Sequence, residues 1–197
     1  TDALAKVAFD SAVNDAGLGL EDLTSKRLGF FSASTVGGMS HINELYNDAT
    51  QQEESSEFVS SYSPSVHLHK IVRAYKISGP LSVINTACSS SANTIMLGAK
   101  LIESNQIDIA IVGGVDSWSA FTFRGFNALG ILSTELCLPF DNKRTGLNLG
   151  EGAAYLVLAR ADHPKIKKSY GKVCGWSNSN DSFHASALNE DGSGIVK

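Results

Sequence analysis

Apolar positions at Leu4, Val7, Ala8, Ala12 and Val13 recur at helical spacing between Asp2 and Gly17, which predicts an amphipathic helix closed by glycine. Leu28-Gly29-Phe30-Phe31-Ser32-Ala33 is short, apolar and bounded by small residues, and reads as a strand. Thr35-Val36-Gly37-Gly38-Met39 follows as a flexible turn, and the polar stretch Asn47 to Ser56 as a surface helix end or loop. Leu81-Ser82-Val83-Ile84-Asn85-Thr86 is a second strand, running through Ala87-Cys88-Ser89-Ser90-Ser91 into a helical pattern. There Ala92, Ile95, Met96, Leu97, Ala99, Leu101 and Ile102 are apolar almost all round, the mark of a buried helix. Gly98 costs that helix up to ~1 kcal/mol, so a close packing partner is expected beside it. Ile107 to Val112 reads as a strand ending in Gly113-Gly114, which completes a βαβ unit with parallel strands and a right-handed crossover. Tyr155 to Ala159 and Lys172 to Trp176 are two more strands, joined by a short charged surface connection from Asp162 to Ser169. No internal repeat, low-complexity tract or interdomain linker interrupts this pattern, so the chain reads as one α/β unit.

Composition narrows the function classes. With 197 residues, 43% hydrophobic and 18% charged, the chain can bury a substantial core. A net charge of −4 gives no support to nucleic-acid binding. No apolar run approaches the ~20 residues that span a bilayer, so no membrane insertion is expected. The start, Thr1-Asp2-Ala3, is polar and lacks a Met, as expected of a chain that begins inside a longer sequence. Cysteines at 88, 137 and 174 form no CxxC pair, which argues against a disulfide scaffold or zinc site and for a reducing, cytoplasmic setting. His67 and His69 stand two apart, but their segment looks at least as helical as extended and no third ligand has a recognisable spacing. They read as ordinary loop or interface histidines, and no metal is expected.

Cys88 is the main candidate for chemistry. A thiol where a strand turns into a helix sits beside unpaired backbone N–H groups and the positive end of the helix dipole, both of which favour the nucleophilic thiolate. The competing reading is an inert, buried cysteine. Neither a G-x-S-x-G elbow nor a phosphate-binding glycine loop is present, and Ser89 to Ser91 read as residues that cap or pack the first helical turn. In Pro139-Phe140-Asp141-Asn142-Lys143-Arg144-Thr145-Gly146-Leu147-Asn148-Leu149-Gly150-Glu151-Gly152, Asp141 and Arg144 bracket a turn that side-chain-to-backbone bonds and an ion pair can hold.

Asn85-Thr86-Ala87-Cys88-Ser89-Ser90-Ser91 resembles the nucleophile elbow of the β-ketoacyl-acyl carrier protein synthases, the thiolase-fold condensing enzymes. The Pro139 to Gly152 block resembles the same family's PFDxxRxGxxxGEG segment. Val112-Gly113-Gly114, Gly125-Phe126, Ile131-Leu132-Ser133 and Asp181-Ser182-Phe183-His184 are similar to further family segments in the right order. The likeness is closest to the elongating synthase II type and covers nearly the whole chain. It implies an α/β, thiolase-like fold, layered α-β-α-β-α in the full enzyme. Residues 1–197 would then be mainly its N-terminal, nucleophile-bearing half, trimmed at both ends.

The resemblance implies a decarboxylative Claisen condensation in fatty-acid or polyketide-like biosynthesis. Cys88 would accept an acyl group as a thioester, and a malonyl-derived carbanion would attack it. Phe126 matches a family phenylalanine assigned to the acyl pocket. No cofactor is implied, since acyl and malonyl groups arrive on the phosphopantetheine of acyl carrier protein. The family's two catalytic histidines and its active-site lysine lie in a later region, beyond Lys197, so this stretch alone is not expected to condense. His184 falls in a non-catalytic segment of the family pattern. Acyl carrier protein and a second copy of the chain, in a homodimer, are the implied partners. Lys70, Arg73, Lys76 and Arg124 are candidates for the basic patch that an acidic carrier needs. Two alternatives are a non-catalytic chain-length partner subunit, which typically lacks the nucleophile, and a coenzyme A-dependent thiolase-fold acyltransferase, which the Pro139 to Gly152 block argues against.

Overall fold

The computed structural model describes residues 1–51, 56, 58–165, 167–184 and 187–196. Helices α1 (Asp2–Asp15) and α2 (Leu20–Leu23) precede strand β1 (Leu28–Ala33). A 3-10 turn at Met39–His41 leads into α3 (Ile42–Gln51), α4 (Val59–Tyr62) and α5 (Val66–Tyr75). Then come β2 (Leu81–Ile84), α6 (Ser90–Glu103), β3 (Ile109–Asp116), α7 (Ala120–Ala128) and β4 (Gly152–Ala159). The four strands form one sheet in the order β2-β1-β3-β4. β1 runs parallel to both β2 and β3, while β4 pairs antiparallel with β3. The connection through α6 is therefore a parallel crossover that passes over β1, so β2 and β3 are not neighbours.

Two apolar layers hold the sheet. On one face Phe9 and Val13 of α1 and Leu68 and Ile71 of α5 pack on Phe30, Ile109, Ile111 and Tyr155. On the other, Ile102 of α6 packs on Phe31, Ala110 and Val112. Coverage from both sides explains why β1 and β3 are continuous apolar runs instead of alternating ones. Phe9 touches three rings, those of Phe30, Tyr75 and Tyr155.

Several sequence expectations shift here. The α1 face that meets the core is centred on Ala5, Phe9 and Val13, and Val7 points to solvent. The anchor is the single large aromatic, which a stripe drawn through aliphatic residues passes by. β3 and β4 extend through the glycines that read as strand ends, because antiparallel pairing continues from Gly113↔Tyr155 to Asp116↔Gly152. Lys172 to Trp176 is not a strand: it is exposed and pairs with no strand among the described residues. Of the polar stretch Asn47 to Ser56, the first residues finish α3, and 52–55 lie outside the described residues.

α6 is buried on one side only. Its sheet-facing stripe is Ser90, Asn93, Thr94, Gly98 and Ile102, while Ile95, Met96 and Leu97 are half-buried and Ala92 is exposed. The small residues let the helix lie close to β3, as expected at Gly98: a Cβ there would stand 2.6 Å from Val112 Cγ1 and 3.0 Å from Ala110 Cβ. The opposite side of α6 has no covering layer among the described residues. Leu136 and Phe140, further along the chain, are also almost fully exposed.

Candidate functional site

β2 ends at Ile84 and α6 begins at Ser90, so Asn85 to Ser89 must reverse the chain from sheet to helix within a few residues. The cost falls on Ala87, which has a left-handed φ of 54°. For a residue with a Cβ that conformation costs about 1–2 kcal/mol and persists only where neighbours hold it. They do. The Ala87 N–H donates to Asn85 Oδ1 at 3.2 Å, and the Ala87 carbonyl accepts from the Ser90 N–H at 3.0 Å and Ser90 Oγ at 2.5 Å. Ser90 Oγ in turn accepts from the Thr86 N–H at 2.8 Å, and Ser89 Oγ donates to the Thr86 carbonyl at 2.9 Å. The serines after Cys88 are the turn's internal ties, as their place in the first helical turn suggested.

Cys88 follows the strained residue and precedes Ser89, the N-cap of α6. Its thiol is free and the residue exposed, so it is not the buried cysteine of the competing reading. It lies at the positive end of a 14-residue helix. Cys137 and Cys174 are exposed as well, the latter in an extended segment and not in a strand.

The first turn of α6 rests on β3. Thr94 Oγ1 donates to the Gly113 carbonyl at 3.2 Å, and a Cβ on Gly114 would stand 2.5 Å from Ser91 Oγ and 2.9 Å from Ala33 Cβ. The Val112-Gly113-Gly114 signature thus leaves room for the helix that carries the thiol.

The carboxyl ends of β1, β2 and β3 share one edge of the sheet, where ligand sites of open parallel sheets form. Next to the elbow on that edge, Asp116 organises the loop after β1. Its Oδ1 accepts from Ser34 Oγ at 2.9 Å, the Thr35 N–H at 2.8 Å and the Val36 N–H at 3.0 Å, and its Oδ2 accepts from Thr35 Oγ1 at 2.5 Å. The segment that reads as a flexible turn is pinned at its start by a carboxylate from the neighbouring strand. Below it, His67, 1% exposed on α5, is a core residue and not the loop or interface histidine its sequence context suggests. Its Nε2 lies 2.7 Å from Ser32 Oγ, which also meets the Tyr155 hydroxyl at 2.6 Å. His69 is on the exposed side, and among the described residues no cluster of ligands could hold a metal.

The two downstream motifs come together. The Leu147 N–H donates to the Ile131 carbonyl at 3.0 Å, the Ser133 N–H to the Leu147 carbonyl at 2.9 Å, and Asn148 Nδ2 to the carbonyls of Ser133 and Glu135. At the Asp141 turn, the Lys143 N–H donates to Asp141 Oδ1 at 2.7 Å. Arg144 Nη1 donates to the Asp141 carbonyl at 2.9 Å, where an ion pair with its carboxylate was expected. The hydrogen-bonded turn stands and the ion pair does not, because the guanidinium is taken by the backbone.

Phe126 is half-buried on α7, which packs against the Met39–His41 turn. Among the candidate basic residues, Lys70 is ion-paired with Asp2, and Arg73, Lys76 and Arg124 are exposed. Sequence reasoning passed over Asn93, Asp116 and His67 as a site framework. The available signal was a polar side chain interrupting an apolar helix or closing an apolar strand.

Residues 2–163 match the β-ketoacyl synthase, N-terminal domain, family. The chain belongs to that family. The chain is 30% identical over 196 residues to a 3-oxoacyl-[acyl-carrier-protein] synthase 2 of Vibrio cholerae, a match covering 93% of the chain and 47% of the relative. A Rhizobium meliloti protein of the same name is 30% identical over 207 residues, covering 98% and 49%. Among solved structures, a β-ketoacyl synthase from Burkholderia phymatum superimposes with a TM-score of 0.70 at 26% identity, over 78% of this chain and 40% of that one. The ketosynthase ApeO in complex with its chain length factor ApeC, from Xenorhabdus doucetiae, gives 0.69 at 28% identity, over 96% and 45%. The fold is the N-terminal half of the thiolase-like architecture. The chain spans about half the length of the curated relatives it matches.

Proposed function

We propose that this chain carries the acyl-accepting half of a 3-oxoacyl-[acyl carrier protein] synthase, with Cys88 as the nucleophile. The observation that carries the reading is an exposed, free thiol on a strained strand-to-helix turn at the head of α6. Such a turn presents a side chain to a reactant while surrounding bonds absorb the strain. The Cys88 thiolate attacks the carbonyl of an acyl thioester on the phosphopantetheine arm of acyl carrier protein. An S–acyl bond forms at Cys88, and the carrier thiol leaves and takes up a proton. A malonyl unit on a second carrier then breaks its bond to the carboxylate and releases carbon dioxide. The resulting carbanion bonds to the acyl carbon, and the Cys88 thiolate departs. Backbone N–H groups, that of Cys88 among them, hold the oxyanion that forms at each attack. Polarising the malonyl thioester needs further donors, which we assign to the part of the relatives' length that this chain does not span.

Phe126, on α7, is assigned to the acyl pocket. Arg73, Lys76 and Arg124 are assigned to carrier docking through exposed positive charge. Two-fold pairing of copies is assigned to the sheet, where β2 has a partner on one side only among the described residues. No described helix is long and apolar enough to cross a membrane, and the three free thiols suit the reducing cytoplasm. The presence of Cys88 favours the catalytic subunit over a chain-length partner, since the partner's task requires no nucleophile.

The reading has a direct chemical test. Limiting chloroacetamide, followed by peptide mapping, is expected to modify Cys88 ahead of Cys137 and Cys174, although all three thiols are exposed. Modification of Cys137 or Cys174 with Cys88 left intact would refute the assignment.

A further inference from the structure

One side chain ties the thiol-bearing turn together from inside the helix. Asn93 is 7% exposed on the sheet-facing stripe of α6. Its Nδ2 donates to Thr86 Oγ1 at 2.7 Å and to Ser89 Oγ at 3.3 Å. Thr86 and Ser89 flank the Ala87-Cys88 pair, so the two protons of one buried carboxamide span the strained residue and the thiol. The Asn93 Oδ1 is used as well: it accepts from Asn178 Nδ2 at 3.2 Å. Asn178 lies in the extended chain after β4, in a segment with its own ties. Ser179 Oγ donates to the Gly194 carbonyl at 2.9 Å, and Asp181 accepts from the backbone N–H groups of Phe183 and Asn189 at 3.1 and 3.0 Å. Three bonds of the Asn93 amide are therefore committed, two on the elbow and one on the segment beyond the sheet.

We propose that Asn93 is the positioning residue of the nucleophile. It fixes the elbow through Thr86 and Ser89, and through Asn178 it couples the aim of Cys88 to the docking of the segment that Asn178 and Ser179 begin. The proposal rests on Cys88 being the nucleophile. A buried amide with three committed bonds can hold one backbone geometry and no other, because each bond it loses leaves a polar atom unpaired away from water. An apolar residue in its place would fill the space and leave the left-handed Ala87 without that clasp.

The test compares the rates of iodoacetamide alkylation at each cysteine of the full chain, read by peptide mapping, with Cys137 and Cys174 as internal references. Asn93→Ala is expected to slow Cys88 about tenfold, the rate equivalent of one committed hydrogen bond, and to leave the other two thiols unchanged. Thr86→Val, which removes the acceptor and keeps the shape, is expected to slow Cys88 similarly, whereas Thr86→Ser restores the hydroxyl and the rate. The Asn93→Ala, Thr86→Val pair is expected to be slowed by less than the product of the two single effects, since the bond between these side chains is lost in each. Asn178→Ala is expected to cost about two- to threefold, because it removes only the outer bond.

Equal slowing of all three thiols, or an unchanged Cys88 rate in Asn93→Ala, would overturn the proposal. If Asn93→Ala does not fold, the Thr86→Val and Thr86→Ser comparison decides alone, and equal rates there overturn it. Failure of the underlying reading looks different. In that case Cys88 of the unsubstituted chain reacts no faster than Cys137 and Cys174.

Discussion

Replacing Asp116 by alanine is expected to lower the stability of the fold by about 3–4 kcal/mol, measured as a drop in the urea midpoint with little change in slope. The carboxylate accepts four bonds, two from hydroxyls of Ser34 and Thr35 and two from the backbone N–H groups of Thr35 and Val36. Alanine leaves those two N–H groups without their acceptor at the end of the central strands. Net values of about 1.5–3 kcal/mol for a bond to a charged acceptor are not additive over one carboxylate, which is why the expected loss is well below their sum. Asp116→Asn separates shape from charge. Its remaining carbonyl oxygen can keep the three bonds now made to Oδ1, and its amide can donate to Thr35 Oγ1, so it is expected to retain more than half of the lost stability. Equal losses in the two variants would mean that packing, not acceptance of these bonds, is what Asp116 supplies.

Acidification is expected to destabilise the chain through His67. Burial removes water from the imidazolium and pushes His67 down from 6.5 to about 4, against the opposing pull of Asp2, the Pro64 carbonyl and Asp116 and with a smaller contribution from the terminal ammonium. The bonds fit a neutral ring. Nε2 accepts from Ser32 Oγ, which accepts from the Tyr155 hydroxyl, and the Pro64 carbonyl takes the proton on the other nitrogen. Protonating Nε2 would reverse its bond to Ser32 and place a positive charge in the core, away from water.

Because the folded value lies below the unfolded one, the unfolded chain binds more protons between those limits. Stability from this group is fully present above pH 6.5 and is lost as pH falls to about 4. The full loss is on the order of 3 kcal/mol. Urea midpoints between pH 7.5 and 4, compared with those of His67→Leu, isolate the effect. The variant is expected to be less stable at neutral pH, because Ser32 loses its acceptor, and to have a flatter profile across that window. Parallel profiles would show that His67 is not the titrating group. Tyr155 acts at the other limit: burial pushes it up to about 12, so its contribution is present below pH 10 and lost as pH rises through 12.

Much of this framework was legible in the residues. β1 runs from Leu28 to Ala33 as the apolar pattern indicates, and Cys88 stands where the strand-to-helix reading places it. Gly98 has the close partner that its helix cost implied. These features depend on near neighbours in sequence or on strong periodicity. What escaped depends on contacts between distant segments. Phe9 anchors α1 because three rings from other elements meet it; the i, i+4 row Ala5-Phe9-Val13 was there in α1, but its weight over the aliphatic stripe comes from those distant rings. β3 runs on through Gly113 and Gly114 because β4 pairs with them, a partner that local glycine propensity does not reveal. Lys172 to Trp176 has strand-like residues and no strand beside it, and a strand is made by its neighbour. At the site, the thiol stood out by its motif. Asn93 and Asp116, which hold the two loops of the same sheet edge, are ordinary polar residues until the chain is folded around them.

The central claim is that Cys88 accepts the acyl group. Incubating the protein with an acyl-[acyl carrier protein], trapping at low pH and mapping the thioester by mass spectrometry tests it most directly. The acyl mass is expected on the peptide containing Cys88, and it is expected to disappear in Cys88→Ala while Cys137 and Cys174 stay unmodified. An acyl group found on Cys137 or Cys174, or one that persists in Cys88→Ala, would contradict the account.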